Sequence, residues 1–319
     1  MNHPAVWDLV ATQKGRLFSK PAQRLVYCSS VCFSIACILS FTSILFAPLA
    51  SAEAQPTSLH ASTKIAQIAI IIDDIGYNRP AGEHIINVPG ALTYAVIPFT
   101  PFAKKLATLA HTNNKEVLLH LPMEATVRKQ LDTGGLTVHQ SKYELKDLVN
   151  SSLSAVPYVT GFNNHMGSLL TTDRKAMEWI MEEASSQQLF FIDSVTNAAS
   201  IAGKVASEHG IPNLRRDVFL DNNPSKDKIH RAFLLLLSKA RKNGYAIGIA
   251  HPHPETIKYL SSHLNNLQEK GIELVSVSKL VQAHWASNLT PNPNPSNDNI
   301  LHLVTSLPTP LHTRFRFEQ

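Results

Sequence analysis

Carboxylate and histidine side chains follow the ends of several apolar runs in this sequence. Asp73 and Asp74 end the first run, and two neighbouring carboxylates repel each other unless a cation or a shared proton offsets their charge. The other polar run ends are His120 and Glu124 after the third run, His165 after the fourth, Asp193 after the fifth and His251 after the seventh. If Asp73 and Asp74 were considered alone, one could cap a helix and the other could face water. The other polar residues also follow the ends of apolar runs, and this shared position argues against chance placement.

These residue types predict a metal centre. All three cysteines lie at or before Cys37, so the rest of the chain offers no thiolate ligand. Carboxylate and imidazole ligands without cysteine suit Zn²⁺ or a similar divalent ion that keeps an open position for water. The sequence therefore predicts a divalent metal cofactor, with zinc as the first choice.

The polar run ends belong to an alternating pattern of short apolar runs and longer amphipathic segments. The runs are Ile68 to Ile72, Leu92 to Ile97, Glu116 to Leu121, Tyr158 to Phe162, Leu189 to Ile192, Leu214 to Leu220, Tyr245 to Ala250 and Glu273 to Val275. The helical candidates include Phe102 to Thr112, Tyr143 to Ala155, Arg174 to Ser186, Lys226 to Lys242 and Pro254 to Lys270, with a capping-box pattern at Ser141 and Glu144. Alternation over seven or eight units predicts an α/β fold, a closed or nearly closed (β/α) barrel, with an open doubly wound sheet as the alternative. In a barrel, the carboxyl ends of the strands meet on one face.

The first 54 residues are predicted to be an export signal or an N-terminal anchor. Four basic residues between positions 14 and 24 precede an uncharged apolar stretch from Leu25 to Ala50, and an A-x-A cleavage pattern follows at residues 50–52. The apolar stretch is nearly long enough to span a bilayer, so an uncleaved anchor with its positive end in the cytoplasm is the alternative to cleavage. Either interpretation places the following domain outside the cytoplasm, in the periplasm or anchored to the inner membrane facing it.

Three further regions follow the predicted leader. Residues 55–63 are predicted to be a polar linker, residues 64–286 one globular domain, and residues 287–319, rich in Pro and Asn, a disordered tail. Cleavage after Ala52 would remove four basic residues and Asp8 and take the formal charge from +5 to +2, which leaves nothing typical of a nucleic-acid-binding surface. No G-x-G-x-x-G or Walker sequence follows the first run, which argues against a nucleotide site. Membrane contact is expected only through the N-terminal segment.

Five short motifs in the predicted domain carry a resemblance to a known family. They are Asp73-Asp74-Ile75-Gly76, His120 to Glu124, Asn163 to Ser168, Phe191 to Ser194 and Gly248 to Pro252. As a set they resemble the divergent polysaccharide deacetylase family, the bacterial YibQ-like proteins, which is a distant branch of the NodB-type carbohydrate esterases. The resemblance covers residues 64 to about 285 and implies a distorted, incomplete (β/α) barrel.

The resemblance also implies roles for individual residues. Asp73 matches the general base of NodB-type enzymes, Asp74 and His120 match metal ligands, and His251 matches the histidine acid. The second histidine of their His-x-x-x-His ligand motif is Glu124 in this chain. Either Glu124 or His165 is therefore implied as the third ligand.

The implied chemistry is metal-assisted hydrolysis of an N-acetyl sugar. Asp73 would take a proton from the attacking water and His251 would protonate the departing amine. Asp193 is expected to orient a histidine rather than bind the ion. Asn163 and Asn164 replace the arginine-containing motif of the NodB-type enzymes. They either donate hydrogen bonds to the oxyanion or to sugar hydroxyls, or stabilise a local turn.

Two functions fit this sequence. One is a metal-dependent deacetylase that acts on an envelope glycan such as peptidoglycan or another N-acetylhexosamine polymer. The alternative is a carbohydrate-binding or scaffold protein of the envelope that has the same fold without turnover. An envelope glycan is the expected partner in both cases.

Overall fold

The longest strand, β1 (Ala66–Ile75), lies in the middle of the sheet and is almost entirely buried. The structure is a computed structural model that describes residues 65–127 and 129–288. In β1 the alternate residues Ile68, Ile70 and Ile72 pack towards the helices, whereas Ala69 and Ile71 belong to a second cluster on the opposite face. Because both faces are covered, the strand is apolar from Ile68 to Ile72 rather than alternating.

Nine parallel strands form one curved sheet in the described part of the chain. After β1 they are β2 (Thr93–Val96), β3 (Glu116–Met123), β4 (Val159–Met166), β5 (Phe190–Asp193), β6 (Asn213–Arg215), β7 (Val218–Phe219), β8 (Tyr245–Ala250) and β9 (Ile272–Leu274). Their order is β6, β5, β4, β3, β2, β1, β8, β7, and β9 pairs with the first residues of β1. The sheet is the distorted, incomplete barrel that the sequence predicts.

The run Leu214 to Leu220 forms two strands rather than the single strand that its sequence suggests. Strand β6 pairs with β5 at one edge of the sheet, and β7 pairs with β8 at the other edge. Between them, the Arg216 N–H donates to the carbonyl of Asp193 at 2.9 Å and the Asp217 N–H donates to that of Ile247 at 2.9 Å. This short segment therefore bridges the two edges and brings the ends of β5 and β8 to the same rim.

All helices but the last cover the outside of the sheet, and the last follows β9 and packs against the inner face. The helices are α1 (Arg79–Ile86), α2 (Ala103–Thr112), α3 (Lys142–Ala155), α4 (Arg174–Ser186), α5 (Ala202–Glu208), α6 (Lys226–Asn243), α7 (Pro254–His263) and α8 (Val277–Asn288). The predicted capping box at the start of α3 is present, with Ser141 and Glu144 each accepting from the other's backbone N–H. Helix α7 is shorter than predicted, because the chain leaves the helix after His263 and forms only a 3₁₀ turn at Gln268–Lys270.

The middle of the barrel interior is apolar. Ala69, Ile71 and Ile249 line it together with residues of α8, including Leu280 and Val281. Because side chains alternate along a strand, Asp73 continues the face of Ala69 and Ile71 and points into the same interior at the carboxyl end. An apolar surrounding of this kind strengthens the electrostatic interactions of the charged groups at the rim.

Gly76 gives the first prediction. It has φ of 139°, and a Cβ added there would lie 1.9 Å from the Thr100 Oγ1 atom, which donates to the Ile97 carbonyl. We expect Gly76→Ala to lower the free energy of unfolding by about 3 kcal/mol or more, because the steric overlap adds to the cost of positive φ. The control Gly244→Ala has φ of 86° with open space around it, and should cost only about 1 kcal/mol. Urea denaturation measures both losses, and equal losses would refute the packing argument.

The described residues cover most of the predicted globular domain. Helix α8 continues to Asn288, two residues beyond the predicted end of that domain. The predicted leader at residues 1–54, the linker at 55–63 and the rest of the predicted tail lie outside the described residues. No helix within residues 65–127 and 129–288 combines the length and the apolar character that a bilayer crossing requires.

Candidate active site

A bulge at the end of β1 lets both adjacent aspartates face the same site. Neighbouring residues of a regular strand point to opposite faces. Here the pairing of β1 with β2 changes register between Ile72 and Ile75, and Asp74 has φ of 58°. Positive φ is uncommon outside glycine and often occurs at functional sites. As a result, the nearest carboxylate oxygens of Asp73 and Asp74 lie 3.6 Å and 3.2 Å from the same atom, Nε2 of His120.

Three of the predicted ligands converge on one point. Oδ1 of Asp74 lies 3.2 Å from Nε2 of His120 and 3.0 Å from Nδ1 of His165, and the two ring nitrogens are 3.1 Å apart. Asp74 lies on β1, His120 on β3 and His165 on β4. Strand β2 separates β1 from β3 in the sheet, so the curvature of the barrel brings the three side chains together. The structure thus groups Asp74, His120 and His165 as candidate ligands.

Glu124, the other candidate for the third ligand, lies outside this group. Its Oε2 atom accepts a hydrogen bond from the Val138 N–H at 3.0 Å, which fixes the loop that returns after β3. Four residues along an extended strand span about 13 Å, so His120 and Glu124 cannot easily reach the same ion. The i to i+4 spacing that would suit a helix does not suit this strand. The sequence left the third ligand open between Glu124 and His165. The structure places His165, on the neighbouring strand β4, beside Asp74 and His120.

The donor set fits a divalent cation. The Asn163 amide donates to Asp73 at 2.9 Å, so its carbonyl oxygen faces Nδ1 of His120 at 2.8 Å and accepts a hydrogen bond from the N–H there. The lone pair of neutral His120 is then on Nε2, towards Asp74. The buried Oδ1 atom of Asp74 accepts no well-aligned hydrogen bond from the described residues. Ligand atoms about 3.3 Å apart surround a tetrahedral zinc ion, close to the separations found here.

Asp73 and Asp74 have opposite electrostatic environments. Burial raises the pKa of Asp73 above its usual range, although the charges of His120 and His251 act in the other direction. Burial would also raise the pKa of Asp74, but the close contacts with the His120 and His165 imidazoles outweigh it and hold that pKa well below the usual range. Asp74 is therefore anionic and suited to bind a cation, whereas burial makes Asp73 the more basic of the two carboxylates.

His251 follows β8 and is oriented by Asp221, a residue that the sequence analysis left out of the site. Its Nδ1 lies 2.9 Å from Oδ1 of Asp221, and its backbone N–H donates to Oδ2 at 2.7 Å. Oδ2 also accepts from Thr256 at 2.8 Å, so the carboxylate is fixed. Burial lowers the pKa of His251, but the Asp221 hydrogen bond and the nearby carboxylates raise it overall to about 9.

The position of Asp221 in the sequence contained a signal for this role. It directly follows the sixth apolar run, in the same register as the other polar run ends. Its neighbours Asn222, Asn223 and Pro224 are typical of a turn, and a turn was the simpler interpretation. Asp132 is a second carboxylate at the site that the sequence analysis did not include. Its Oδ2 atom lies 3.2 Å from Nε2 of His165, and its position in the sequence gave no signal comparable to that of Asp221. It belongs to the long loop between β3 and α3, which has no regular periodicity.

The expectation that Asp193 orients a histidine is wrong. Its two carboxylate oxygens accept hydrogen bonds from the Val195 N–H and the Ser200 hydroxyl, both at 2.8 Å. Val195 has φ of 49°, which is rare for a β-branched residue, and the Asp193 contact holds this turn. Asp193 therefore shapes the loop after β5, and Asp221 is the carboxylate that orients His251.

Asn163 and Asn164 are both buried and have different partners. Asn163 connects Asp73 to His120 and also lies 3.3 Å from the Ser194 hydroxyl. Asn164 accepts from the Ser194 N–H at 2.9 Å and donates to the Met166 carbonyl at 2.8 Å, so it holds the ends of β4 and β5 together. The turn-stabilising interpretation describes Asn164. Asn163 instead holds the proposed base and one candidate ligand in a fixed relation.

Asn163 gives the second prediction. Asn163→Ala removes the partners of two buried groups, the Asp73 carboxylate and Nδ1 of His120, and an unsatisfied buried polar group costs about 1–3 kcal/mol. We expect its free energy of unfolding to fall by about 2 kcal/mol or more in chemical denaturation. The exposed Asn222→Ala is the control and should change stability by less than about 0.5 kcal/mol. A loss for Asn163→Ala no larger than that of the control would show that these contacts are not structural.

An arginine also approaches this rim. The Arg216 guanidinium donates through Nε to the Ser194 carbonyl at 2.7 Å and through Nη2 to the Val195 carbonyl at 2.9 Å. It stacks 3.8 Å above the centre of the Phe219 ring, and its charge acts on Asp73. By its sequence alone, the segment Arg215-Arg216-Asp217 would be interpreted as a solvated ion pair. The half-buried side chain instead supports the loop after β5.

The fold and the site together define a class of protein: an incomplete (β/α) barrel with a histidine and carboxylate centre at the carboxyl rim of its strands. The chain belongs to the divergent polysaccharide deacetylase family, whose model matches residues 70–281. It is 35% identical over 256 residues to an uncharacterized protein of Haemophilus influenzae, covering 80% of this chain and 88% of that protein. It is 37% identical over 229 residues to the uncharacterized protein YibQ of Escherichia coli K12, covering 72% and 71% of the two chains.

A solved structure has the same fold. An uncharacterized protein of Agrobacterium tumefaciens C58 superposes with a TM-score of 0.66 at 25% sequence identity, covering 67% of this chain and 89% of that protein. The resemblance to the divergent polysaccharide deacetylases that the sequence motifs suggested is therefore confirmed as family membership.

Proposed function

We propose that this chain is an exported, metal-dependent hydrolase that removes N-acetyl groups from an envelope polysaccharide. Family membership supports the general class, since the family is named for polysaccharide deacetylation. The predicted leader supports export to the periplasm, free or anchored to the inner membrane. Zinc is the proposed ion because the donor set consists of one carboxylate and two imidazoles without thiolates.

One observation supports the proposal most strongly. The three candidate ligands Asp74, His120 and His165 form one group. The buried carboxylate of Asp73 and the imidazole of His251, which Asp221 orients, lie next to this group. Nε2 of His251 is 3.9 Å from Oδ2 of Asp74, so the three functions of ligand, base and acid share one small site. Binding a sugar without catalysis does not require a base and an acid beside a cation site.

The residues divide the work of amide hydrolysis among them. A divalent ion held by Asp74, His120 and His165 would polarise the acetyl carbonyl and acidify the attacking water. Asp73 accepts the proton of that water, and Asn163 keeps its carboxylate in place. His251 donates its proton to the amine nitrogen as the C–N bond breaks, leaving acetate and a free amino sugar. Asp221 accepts a hydrogen bond from Nδ1 of His251. This bond keeps Nε2, the atom that donates the proton, directed towards the site.

Asp221 gives the third prediction. Asp221→Asn removes the negative charge that helps to raise the pKa of His251 to about 9. His251 acts in its protonated form, so activity falls as pH rises through this pKa. We expect the alkaline limb of the pH profile of kcat to move to lower pH in Asp221→Asn, with kcat at neutral pH reduced by about tenfold or more. An unchanged alkaline limb would show that Asp221 has only a structural role.

The test of the proposed function is acetate release. Purified protein is incubated with N-acetylglucosamine oligomers in the presence of Zn²⁺, Co²⁺ or Mn²⁺, and in parallel with a chelator. We expect acetate release with metal and none with the chelator. Retention of the oligomers on immobilised protein without any release would favour the alternative, a carbohydrate-binding protein, and would refute the hydrolase.

A further inference from the structure

Asp132 lies on the opposite side of His165 from the candidate metal ligands. Nδ1 of His165 faces Oδ1 of Asp74 at 3.0 Å and Nε2 of His120 at 3.1 Å, while Nε2 of His165 faces Oδ2 of Asp132 at 3.2 Å. The His165 ring is therefore held between two carboxylates. Its two nitrogens have different surroundings, and only one of them faces the proposed ion.

This arrangement determines which nitrogen of His165 can bind a metal. A neutral imidazole has one N–H donor and one lone pair, and a carboxylate only accepts hydrogen bonds. With the ring proton on Nε2 and donated to Asp132, the lone pair lies on Nδ1, towards Asp74 and His120. A metal-binding histidine typically donates its other N–H to a carboxylate or a carbonyl, which fixes the ring and increases its basicity.

Asp132 is itself held firmly, although it lies in a long loop. The Tyr77 hydroxyl donates to its other carboxylate oxygen, Oδ1, in a short hydrogen bond. Its carbonyl accepts from the Gly135 N–H at 2.9 Å. The next residue, Leu136, is buried and exchanges backbone hydrogen bonds with the end of β3, donating to the Pro122 carbonyl and accepting from the Glu124 N–H.

The loop therefore connects two separate parts of the rim. Tyr77 follows the aspartates of β1, and His165 lies at the end of β4. Asp132 contacts both, so one carboxylate of the β3 to α3 loop ties the ligand-bearing end of β4 to the residue just beyond β1. Tyr77 is about half exposed, and its hydrogen bond to Asp132 raises the pKa of Tyr77 to about 12, so the hydroxyl remains a donor.

We propose that Asp132, supported by Tyr77, is the positioning residue that fixes the His165 ring and selects its Nδ1 atom as a metal ligand. The inference rests on the proposed metal-dependent function and assigns to the loop a part in metal affinity. The choice of the ligand atom on His165 then depends on a residue outside every strand.

The experiment measures Zn²⁺ affinity of the purified protein by competition with a chromophoric chelator. Removing an outer partner of a ligand typically weakens metal affinity by about 10–100-fold, and we expect a loss in this range for Asp132→Ala. Asp132→Asn should lose less, because the amide oxygen still accepts from Nε2, and Tyr77→Phe should also lose less than Asp132→Ala. Asp147→Ala removes an exposed carboxylate from α3 and is the matched control, with unchanged affinity.

A second readout separates positioning from a general effect on folding. The ¹⁵N chemical shifts of the His165 ring in the zinc-bound protein report which nitrogen carries the proton. We expect a proton on Nε2 and zinc on Nδ1 in the wild type, and a loss of this single pattern in Asp132→Ala. Equal Zn²⁺ affinity of Asp132→Ala and wild type would overturn the inference and leave the proposed function intact. Wild type that binds zinc in this way but releases no acetate would refute the proposed reaction alone.

Discussion

Replacing Asp73 with asparagine is expected to lower kcat for acetate release by about a thousandfold, within the range of about 10²–10⁴ typical of a general base. Asparagine has nearly the same shape, and its amide oxygen can still accept the hydrogen bond that Asn163 donates to Asp73 at 2.9 Å. The fold and the candidate ligands are therefore retained, while the group that accepts the proton of water is lost. Steady-state kinetics with N-acetylglucosamine oligomers measure the effect.

The Asp73→Asn experiment needs a measure of metal content beside the rate. Because Asp73 is not one of the three grouped ligands, zinc stoichiometry should equal that of the wild type. The exposed Asp147→Asn on α3 is the matched control and should leave kcat unchanged. If Asp73→Asn keeps its zinc and more than about a tenth of the wild-type kcat, Asp73 is not the base.

The second large effect is expected at His120. His120→Ala removes one of three protein ligands, and we expect Zn²⁺ affinity to fall by at least about a hundredfold, more than for loss of an outer partner. Acetate release should fall with it at limiting zinc. Competition with a chromophoric chelator and activity at graded zinc concentrations measure the two losses together.

His120 is buried and also bonded to Asn163, so its removal affects stability as well. His165→Ala, at a partly exposed position, provides a second variant with the same expected loss of zinc affinity and a smaller structural change. The exposed His84→Ala on α1 is the matched control. If His120→Ala and His165→Ala both bind zinc as tightly as the His84 variant, the three grouped residues are not the metal site.

The sequence predicted the part of the site that depends on strand register. Asp74, His120 and His165 each lie at or just beyond the carboxyl end of an apolar run, and parallel strands bring such ends to one face. The same reasoning located Asp73 and His251. The placement of these residues at one face follows from local patterns together with one topological rule.

The residues that the sequence missed depend on contacts between distant segments. Asp132 reaches His165 only because the β3 to α3 loop is bonded back to Pro122 and Tyr77. The orientation of Asp74 depends on a bulge and a positive φ, whereas a regular strand would have turned its carboxylate away from that of Asp73. Neither feature has a signature in the types of the neighbouring residues.

The choice between His165 and Glu124 shows the same limit in another form. Both residues are suitable zinc ligands, and both follow a strand end. Only the extended geometry of β3, which separates His120 from Glu124, and the pairing of β3 with β4 distinguish them. Asp193 and Asp221 differ in a similar way, because the split of the sixth run into β6 and β7 brings Asp221 beside β8.

A crystal structure of protein grown with Zn²⁺, with anomalous data collected at the zinc edge, tests the central claim most directly. A second group of possible ligands, Asp221, His251 and His253, lies in the same rim and serves as an internal comparison. We expect one anomalous peak about 2.0–2.2 Å from Oδ1 of Asp74, Nε2 of His120 and Nδ1 of His165. A peak at the second group alone, or no peak at either, would contradict the proposed metal centre.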